Sequence, residues 1–356
     1  MKRALFLAEK DGRYASPNPR VGAVLVKNGR VVGEGAHQQY GGPHAEVVAL
    51  QKAGPKAKGA VLYVTLEPCG HYGKTPPCVD AVIRAGVKKV VAAMQDPFPL
   101  IRGKSFQKLR KAGIKVQVGV LEEQARRLNE NFIFSLSEKR PKVLLKAGIS
   151  LDGKIAAVSG KSKWITGEAA RKWAHLLRAQ SDAILVGSRT ALMDDPSLSV
   201  RLPGFGRKDG RPFRVVLDST LRIKPRAKIF QGPQKTLVFT SPRSSPSKQR
   251  TLEKQGAVVF RVPYRRKMLS LRAILRILHS FNVRTLMVEG GGEIHASFLR
   301  EKLADELALF VAPKILGGKA LSWVGGKGVG NPNMAPLLKD MSVEKVGEDF
   351  LIRGKF

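Results

Sequence analysis

The sequence predicts an α/β protein of two domains, 1–140 and 141–356. Three observations lead there. At 356 residues the chain is long enough for two hydrophobic cores. Apolar runs of strand length alternate with runs of helical length along both halves. Between the halves lies "SEKRPK", a polar stretch containing Pro141, which suits a boundary.

The first half reads in order. "KRALFLAEKDG" is a helix, and its apolar patch stops at Glu9, too early for the apolar region of a secretory signal. "RVGAVLVKNGRVVGEGAH" is a pair of strands around an Asn-Gly turn. "HAEVVALQKAG" is a helix ended by Gly54. "GAVLYVTLEP" is a strand, "PCVDAVIRAG" a helix and "VKKVVAAMQDP" a strand. "SFQKLRKAG" and "IKVQVGVL" repeat the helix–strand pair, and "EEQARRLNENFIFSLSEK" is one further helix. The second half starts with "KVLLKAGISLDG" and continues through "SDAILVGSRTALMDDPSLSVR", "FRVVLDS", "KTLVFTS", "AVVFRVP" and "RTLMVEGGGEIHASFLREKL". "ELALFVAPKILGG" extends the series, and "VEKVGEDFLIRGKF" closes it with a hairpin-like pair. No repeat of fixed period appears.

Hydrophobic content of 43% and charged content of 26% belong to a globular protein. No apolar run reaches the length of a membrane span, so no membrane partner is expected. The net charge of +35 raises a nucleic-acid reading. The excess is spread along the chain, about +13 before residue 141 and about +22 after it. No aromatic-interleaved basic motif accompanies it. The bland alternative is a generally basic proteome or a surface adapted to its surroundings, and attraction of phosphorylated small molecules is favoured over a nucleic-acid role. Two cysteines are too few for a disulfide scaffold, and no export signal is visible, so a reducing cytoplasm is expected.

Both cysteines lie in "TLEPCGHYGKTPPC". Cys69 ends a strand and Cys78 starts a helix. "PHAEV" puts His44 and Glu46 at the start of another helix. One imidazole and two thiolates make a tetrahedral zinc site with a fourth position open for water, whose pKa the metal lowers. The helix N-terminus at Cys78 would favour its thiolate. Glu46 would move the proton from that water to a leaving amine, as in zinc deaminases. The bland alternatives are a helix-capping His44 and two small buried thiols. A Cys69–Cys78 disulfide is a further alternative, disfavoured in a reducing compartment.

"PNPRVGAVLV", "PHAEV", "TLEPCGHYGKTPPC" and "AGVKKVVAAMQDP" together resemble the deaminase domain of the bifunctional riboflavin-biosynthesis deaminase/reductase family. That family carries the same insert between its cysteines, here His71 to Pro77. The resemblance implies a cytidine-deaminase-like three-layer fold for the first domain. It implies that His44, Cys69 and Cys78 hold zinc and that Glu46 is the proton shuttle. It also implies that Asn18, His37, His71 and Lys74 line the pyrimidine and ribose-phosphate pocket. By itself, Asn18 reads as a turn residue in a Pro-Asn-Pro loop. The chain departs from the family at "DPFPLIRGKS", where Phe98 stands in place of a polar residue.

The second half has no G-x-G-x-x-G after a strand. "TLMVEGGGEIHASFL" instead runs strand, glycines, helix, and Gly290, Gly291 and Gly292 would let main-chain N–H groups approach a pyrophosphate. A tight strand-to-helix turn explains the same glycines. Thr166 reads as the cap of the helix "GEAARKWAHLLRAQ". Arg178 reads as a charge near that helix's end, and Asp194, Asp195 and Pro196 as a turn.

"LLKAGISLDGKIA", "SKWITG", "LLRAQSDAILVG", "DDPSLSVR", "VVLDS", "VEGGGEIHASF" and "APKILGG" resemble, in order, the same family's reductase domain. This implies a dihydrofolate-reductase-like fold. It implies NADPH contacts at Gly148, Trp164, Thr190, Asp194 and Ser219. Further contacts are implied along Gly291, Gly292, Glu293, Ile294, His295, Ala296 and Ser297. It places Ser162, Arg178, Leu198, Arg201 and Glu289 around the substrate. Lys146 is either another substrate contact or a surface lysine of its strand. Two arginines offer forked donors to a ribose phosphate. The expected enzyme binds zinc in the first domain and NADPH in the second. It deaminates a diamino-phosphoribosylamino-pyrimidinone and then reduces the ribosyl chain to ribityl. Family precedent points to a homo-oligomer. The rival reading is a basic nucleic-acid-binding editing deaminase.

Overall fold

Residues 1–72, 76–98, 101–205 and 210–356 are described by the computed structural model, and the chain divides into two units, Met1–Lys139 and Arg140–Phe356. In the first unit α1 (Lys2–Asp11) precedes β1 (Gly22–Lys27) and β2 (Arg30–Ala36). Asn28 and Gly29, at φ 49° and 73°, form the hairpin turn that an Asn-Gly pair favours. Then follow α2 (Ala45–Ala53), β3 (Val61–Val64), α3 (Cys78–Arg84), β4 (Lys89–Ala92), α4 (Lys104–Lys111) and β5 (Lys115–Val118). The unit ends with α5 (Glu122–Leu128) and α6 (Glu130–Glu138).

The sheet order is β2-β1-β3-β4-β5. β1 runs antiparallel to β2 and β3, and β3, β4 and β5 are parallel. One sheet face, through Val24, Ala36 and Tyr63, meets Ala4 and Leu7 of α1. The other face, through Ala23, Leu25, Leu62 and Val64, meets Ala45 and Ala49 of α2 and Val79 and Val82 of α3. This is a helix–sheet–helix sandwich. α2 lies unusually close. A β-carbon on Gly33 would come within 2.2 Å of the Ala49 carbonyl oxygen, and one on Gly35 within 2.6 Å of Val48. Only glycine lets helix and strand approach so far.

The stretch read as one terminal helix is two. Asn129 interrupts it between α5 and α6. Its buried amide accepts from the Arg20 main-chain N–H at 2.7 Å and donates to the Arg20 carbonyl at 3.1 Å. A side chain that satisfies a distant strand-like segment competes with continuation of its own helix.

The second unit comprises β6 (Lys142–Ser150), β7 (Lys154–Ala156), α7 (Glu168–Gln180), β8 (Ala183–Gly187), α8 (Ser188–Asp194) and β9 (Phe213–Leu217). Next come β10 (Thr236–Thr240), α9 (Pro246–Glu253), β11 (Ala257–Arg261), β12 (Tyr264–Arg265), β13 (Met268–Leu269) and α10 (Leu271–Ser280). β14 (Thr285–Gly290), α11 (Gly292–Arg300), β15 (Glu306–Ala312), β16 (Leu321–Ser322), β17 (Lys339–Val346) and β18 (Asp349–Lys355) complete it.

Its main sheet has nine strands in the order β11-β10-β9-β8-β14-β6-β15-β18-β17. All pairs from β11 to β15 are parallel, and β18 and β17 are antiparallel. β8, β9 and β10 are buried throughout, as parallel strands covered on both faces must be. One face packs on α10 through Leu271, Ile274 and Leu278, the other on α7 through Ala170 and Leu177. Arg140 anchors the start of the unit, donating both guanidinium amines to Asp305 at 2.7 Å. Among the described residues no helix is long and apolar enough to cross a membrane.

Candidate active sites

In the first unit three chain segments converge. His44 stands in extended conformation before α2, Cys69 follows β3, and Cys78 is the first residue of α3. His44 Nδ1 lies 3.1 Å from Cys78 Sγ and 3.4 Å from Cys69 Sγ, and all three ligand atoms lie within 4.8 Å of one another. Glu46, on the first turn of α2, is buried beside them. Its carboxyl is pushed up to about 7, by burial first and then by the Cys69 charge.

The thiols share a proton. The Cys78 thiol's hydrogen bond, together with His44, holds Cys69 down to about 4, and the same bond plus burial pushes Cys78 up. The helix N-terminus is expected to favour the Cys78 thiolate. The structure instead aims the Cys78 main-chain N–H at Cys69 Sγ, 3.2 Å away. The donor set of one imidazole and two thiols is what zinc prefers, and a dication would displace the shared proton. These residues therefore fit the metal.

Asn18 and His37 sit next to this cluster. Asn18 Nδ2 is 3.0 Å from His37 Nε2, and His37 Nδ1 is 3.0 Å from the Pro43 carbonyl. The His37 ring meets the His44 ring edge-on with centroids 5.1 Å apart. His71 is exposed and faces the Phe98 ring at 6.4 Å. Lys74 lies outside the described residues.

Sequence reasoning missed Glu67. It is buried two residues before Cys69 and accepts main-chain N–H groups from Asp96 at 3.2 Å, Gly103 at 2.8 Å and Ser105 at 3.0 Å. One carboxylate thus ties two later points of the chain to the strand end that carries Cys69.

In the second unit two cavities adjoin. The larger, about 520 Å³, opens at the C-terminal ends of β8, β9 and β14, where ligands bind in open parallel sheets. Thr190, Asp194, Ser219, Gly291, Gly292, Glu293, Ile294 and Ser297, eight of the residues expected on the cofactor, line it together. A β-carbon on Gly292 would come within 2.5 Å of the Ser322 carbonyl. The cradle is closed to any side chain there, and it fits a dinucleotide.

The smaller cavity, about 270 Å³, is lined by Lys146, Ser162, Arg178, Arg201 and Glu289. Gly148, Trp164 and His295, expected on the cofactor, line this smaller cavity. Ala296 lines neither and is buried. Leu198 lines neither: its side chain is 1% exposed in the core below α7, at φ 48°. Only its main chain remains for a substrate. Thr166 is not the cap of α7; Gly167 holds that position, and its N–H donates to Asp349 at 2.8 Å.

The expected pair of free arginine forks is also corrected. Arg178 donates Nε and Nη2 to Glu289 at 2.7 and 2.6 Å. That ion pair is nearly buried, with side chains 15% and 9% exposed. Burial alone would raise the Glu289 pKa, but Arg178 and Lys146 bring it down to about 2. Burial lowers the Lys146 pKa, and Glu289 opposes that. The Arg201 fork is engaged more weakly, its Nε and Nη2 each lying 3.4 Å from His175 Nε2.

His175, which sequence reasoning missed, lies beside Arg201. Its Nδ1 is 3.3 Å from the Arg201 main-chain nitrogen. Burial, then Arg178 and Arg201, push its pKa down to about 4, so it is neutral at pH 7. One signal was available. Arg171, His175 and Arg178 fall at i, i+4 and i+7, one polar stripe on α7, and all three line the cavity.

Comparisons with known proteins agree along the whole chain. Residues 1–94 match the family described as the cytidine and deoxycytidylate deaminase zinc-binding region, and residues 141–352 match the RibD C-terminal domain. The chain is 46% identical to the riboflavin biosynthesis protein RibD of Aquifex aeolicus (strain VF5), over 99% of this chain and 96% of that one. A solved structure of Acinetobacter baumannii RibD superposes with a TM-score of 0.90 at 37% identity, over 100% of this chain and 97% of that one. A Thermotoga maritima structure, described as a diaminohydroxyphosphoribosylaminopyrimidine deaminase/5-amino-6-(5-phosphoribosylamino)uracil reductase, superposes with a TM-score of 0.84 at 38% identity, with the same coverage.

Proposed function

This chain belongs to the RibD family of riboflavin-biosynthesis enzymes, and on that premise we propose how its two sites divide two reactions. The unit before residue 140 removes an amine from the diamino-phosphoribosylamino-pyrimidinone, and the unit after it reduces the ribosyl chain of the product to ribityl. The observation that carries the first assignment is the convergence of His44, Cys69 and Cys78 beside a buried Glu46. Those three residues would hold zinc, which when bound supplies a Lewis acid and makes water acidic enough to deprotonate near neutrality. Glu46 accepts that proton and passes it to the departing amine. A carboxyl poised near 7 suits a group that must do both. Asn18, held by His37, presents a donor and an acceptor to the edge of the pyrimidine ring.

In the second unit NADPH would lie in the larger cleft and supplies a hydride. Lys146 and Arg201 attract the sugar phosphate, and Arg178 holds Glu289 ionised against the substrate's hydroxyls. Ser162, which lines both cavities, is fixed by its hydrogen bond to Asp194 at 3.1 Å and orients the reacting sugar. The substrate is a small molecule, and the free thiols of the first site belong in a reducing cytoplasm.

A coupled assay that follows ammonia and NADPH separately tests the reading. Glu46→Ala should stop ammonia release and leave NADPH oxidation intact on already deaminated substrate. Loss of both activities together would overturn the division.

A further inference from the structure

We propose that Arg222, assisted by Lys267, reads a phosphate on the adenosine ribose of the dinucleotide and so selects NADPH over NADH. The inference rests on the reading that the larger cleft holds a nicotinamide dinucleotide.

The two cavities of the second unit share a wall made by Ile155, Ser162, Thr190, Asp194 and Gly291. The nicotinamide must sit at that wall, because only there does it meet the sugar. The rest of the dinucleotide then extends along the larger cleft toward β9. In the sheet order β9-β8-β14-β6, β9 is three strands from the strand that carries Lys146. At about 4.8 Å per strand this is about 14 Å, a reach that suits an extended dinucleotide. The end of β9 leads into Ser219 and Arg222, and both line the cleft.

Arg222 is held ready at that end. Its main-chain N–H donates to Asp218 Oδ2 at 2.5 Å. Its Nη2 donates to Ser188 Oγ at 2.7 Å, at the start of α8. Its Nε lies 3.9 Å from Asp218 Oδ1, and the side chain is 56% exposed. Asp218 is itself buried and does not line the cleft. The guanidinium is thus fixed on one side, while Nη1 has no hydrogen-bond partner among the described residues. A pre-ordered fork with a free amine is what phosphate recognition needs. Lys267 reaches the same cleft from the turn between β12 and β13, where Arg266 and Lys267 adopt φ 50° and 63°. Arg189 on α8 adds a third cation to the lining. Glu301 is the carboxylate that opposes them, since Asp194 holds Ser162 and Glu293 accepts from the Gly326 N–H. Had Glu301 prevailed, the cleft would favour a ribose hydroxyl over a phosphate.

The test uses the full chain and two probes, adenosine 2′,5′-bisphosphate and adenosine 5′-monophosphate, in calorimetric titrations. The parent protein should bind the bisphosphate at least about tenfold more tightly. Arg222→Gln should lose most of that margin and leave monophosphate affinity within about twofold. Arg222→Lys should recover part of it. Lys267→Gln, at an exposed position of a hairpin turn, should lose a smaller share. In kinetics on deaminated substrate, Arg222→Gln should raise KM for NADPH about tenfold or more, with kcat and the NADH parameters unchanged. Equal losses for both probes, or no preference in the parent protein, would overturn the proposal. Failure of the parent protein to oxidise either NADPH or NADH would instead overturn the reductase reading itself.

Discussion

Glu289 is a carboxylate that survives burial only because Arg178 grips both its oxygens and Lys146 lies nearby. Its folded pKa of about 2 lies below the ordinary glutamate range near 4.3. The unfolded chain therefore binds the proton more readily. The stability this group contributes is fully present above about pH 4.5 and is lost as pH falls toward 2. The urea midpoint of the reductase unit should drop across that window, and Glu289→Gln should show a shallower drop over the same range. A slope identical in the two proteins would mean that the pair does not govern acid unfolding. His175 offers the complementary case of a base kept neutral by burial first and then by cationic neighbours, so it can accept from Arg201 without competing for an anion.

Asn129 acts at the scale of elements. It breaks a helix in order to hold the main chain of Arg20, two residues from Asn18. Asn129→Ala would strand a half-buried N–H and carbonyl of Arg20, at a cost of about 1 kcal/mol or more. It should also raise KM for the pyrimidine by about tenfold while reduction of deaminated substrate is unchanged. Asn129→Asp keeps the acceptor and should fall between the two, as urea unfolding and ammonia release would report. The same residue shows what could be foreseen and what could not. The strands and the Asn28–Gly29 turn were legible because their period and turn chemistry are local. His44, Cys69 and Cys78 were legible because thiols and imidazoles are few in this chain and occur with a recognisable neighbour in Glu46. Asn129 and Glu67 bond to main-chain atoms of distant residues. Main-chain N–H and C=O groups are identical at nearly every position, so such bonds leave no pattern in a sequence. The burial of the Leu198 side chain was not legible for a related reason: it goes with a left-handed φ that no sequence pattern marks.

At the scale of the whole molecule, two units with separate cores carry separate chemistries. Only the first contains cysteine. Chelation should therefore abolish ammonia release and leave NADPH oxidation on deaminated substrate, and metal analysis of the untreated enzyme should find about one zinc per chain. An apo-protein that still deaminates at full rate would contradict the ligand assignment. The net charge of +35 is shared by both units, and it favours the approach of phosphorylated ligands to either.

The glycines beneath α2 bear on how such an enzyme can be altered. His44 immediately precedes, and Glu46 rides on, a helix seated against Gly33 and Gly35, where the strand contributes no side chain. On the strand side the depth of the metal centre is thus set by bare main chain, which has no rotamer to adjust and no flexible tip to yield. Replacing strand glycines with alanine is a common route to heat resistance. Here it would lever the helix outward and detune catalysis in a protein that still folds, so a screen for thermal tolerance alone would enrich sluggish deaminases.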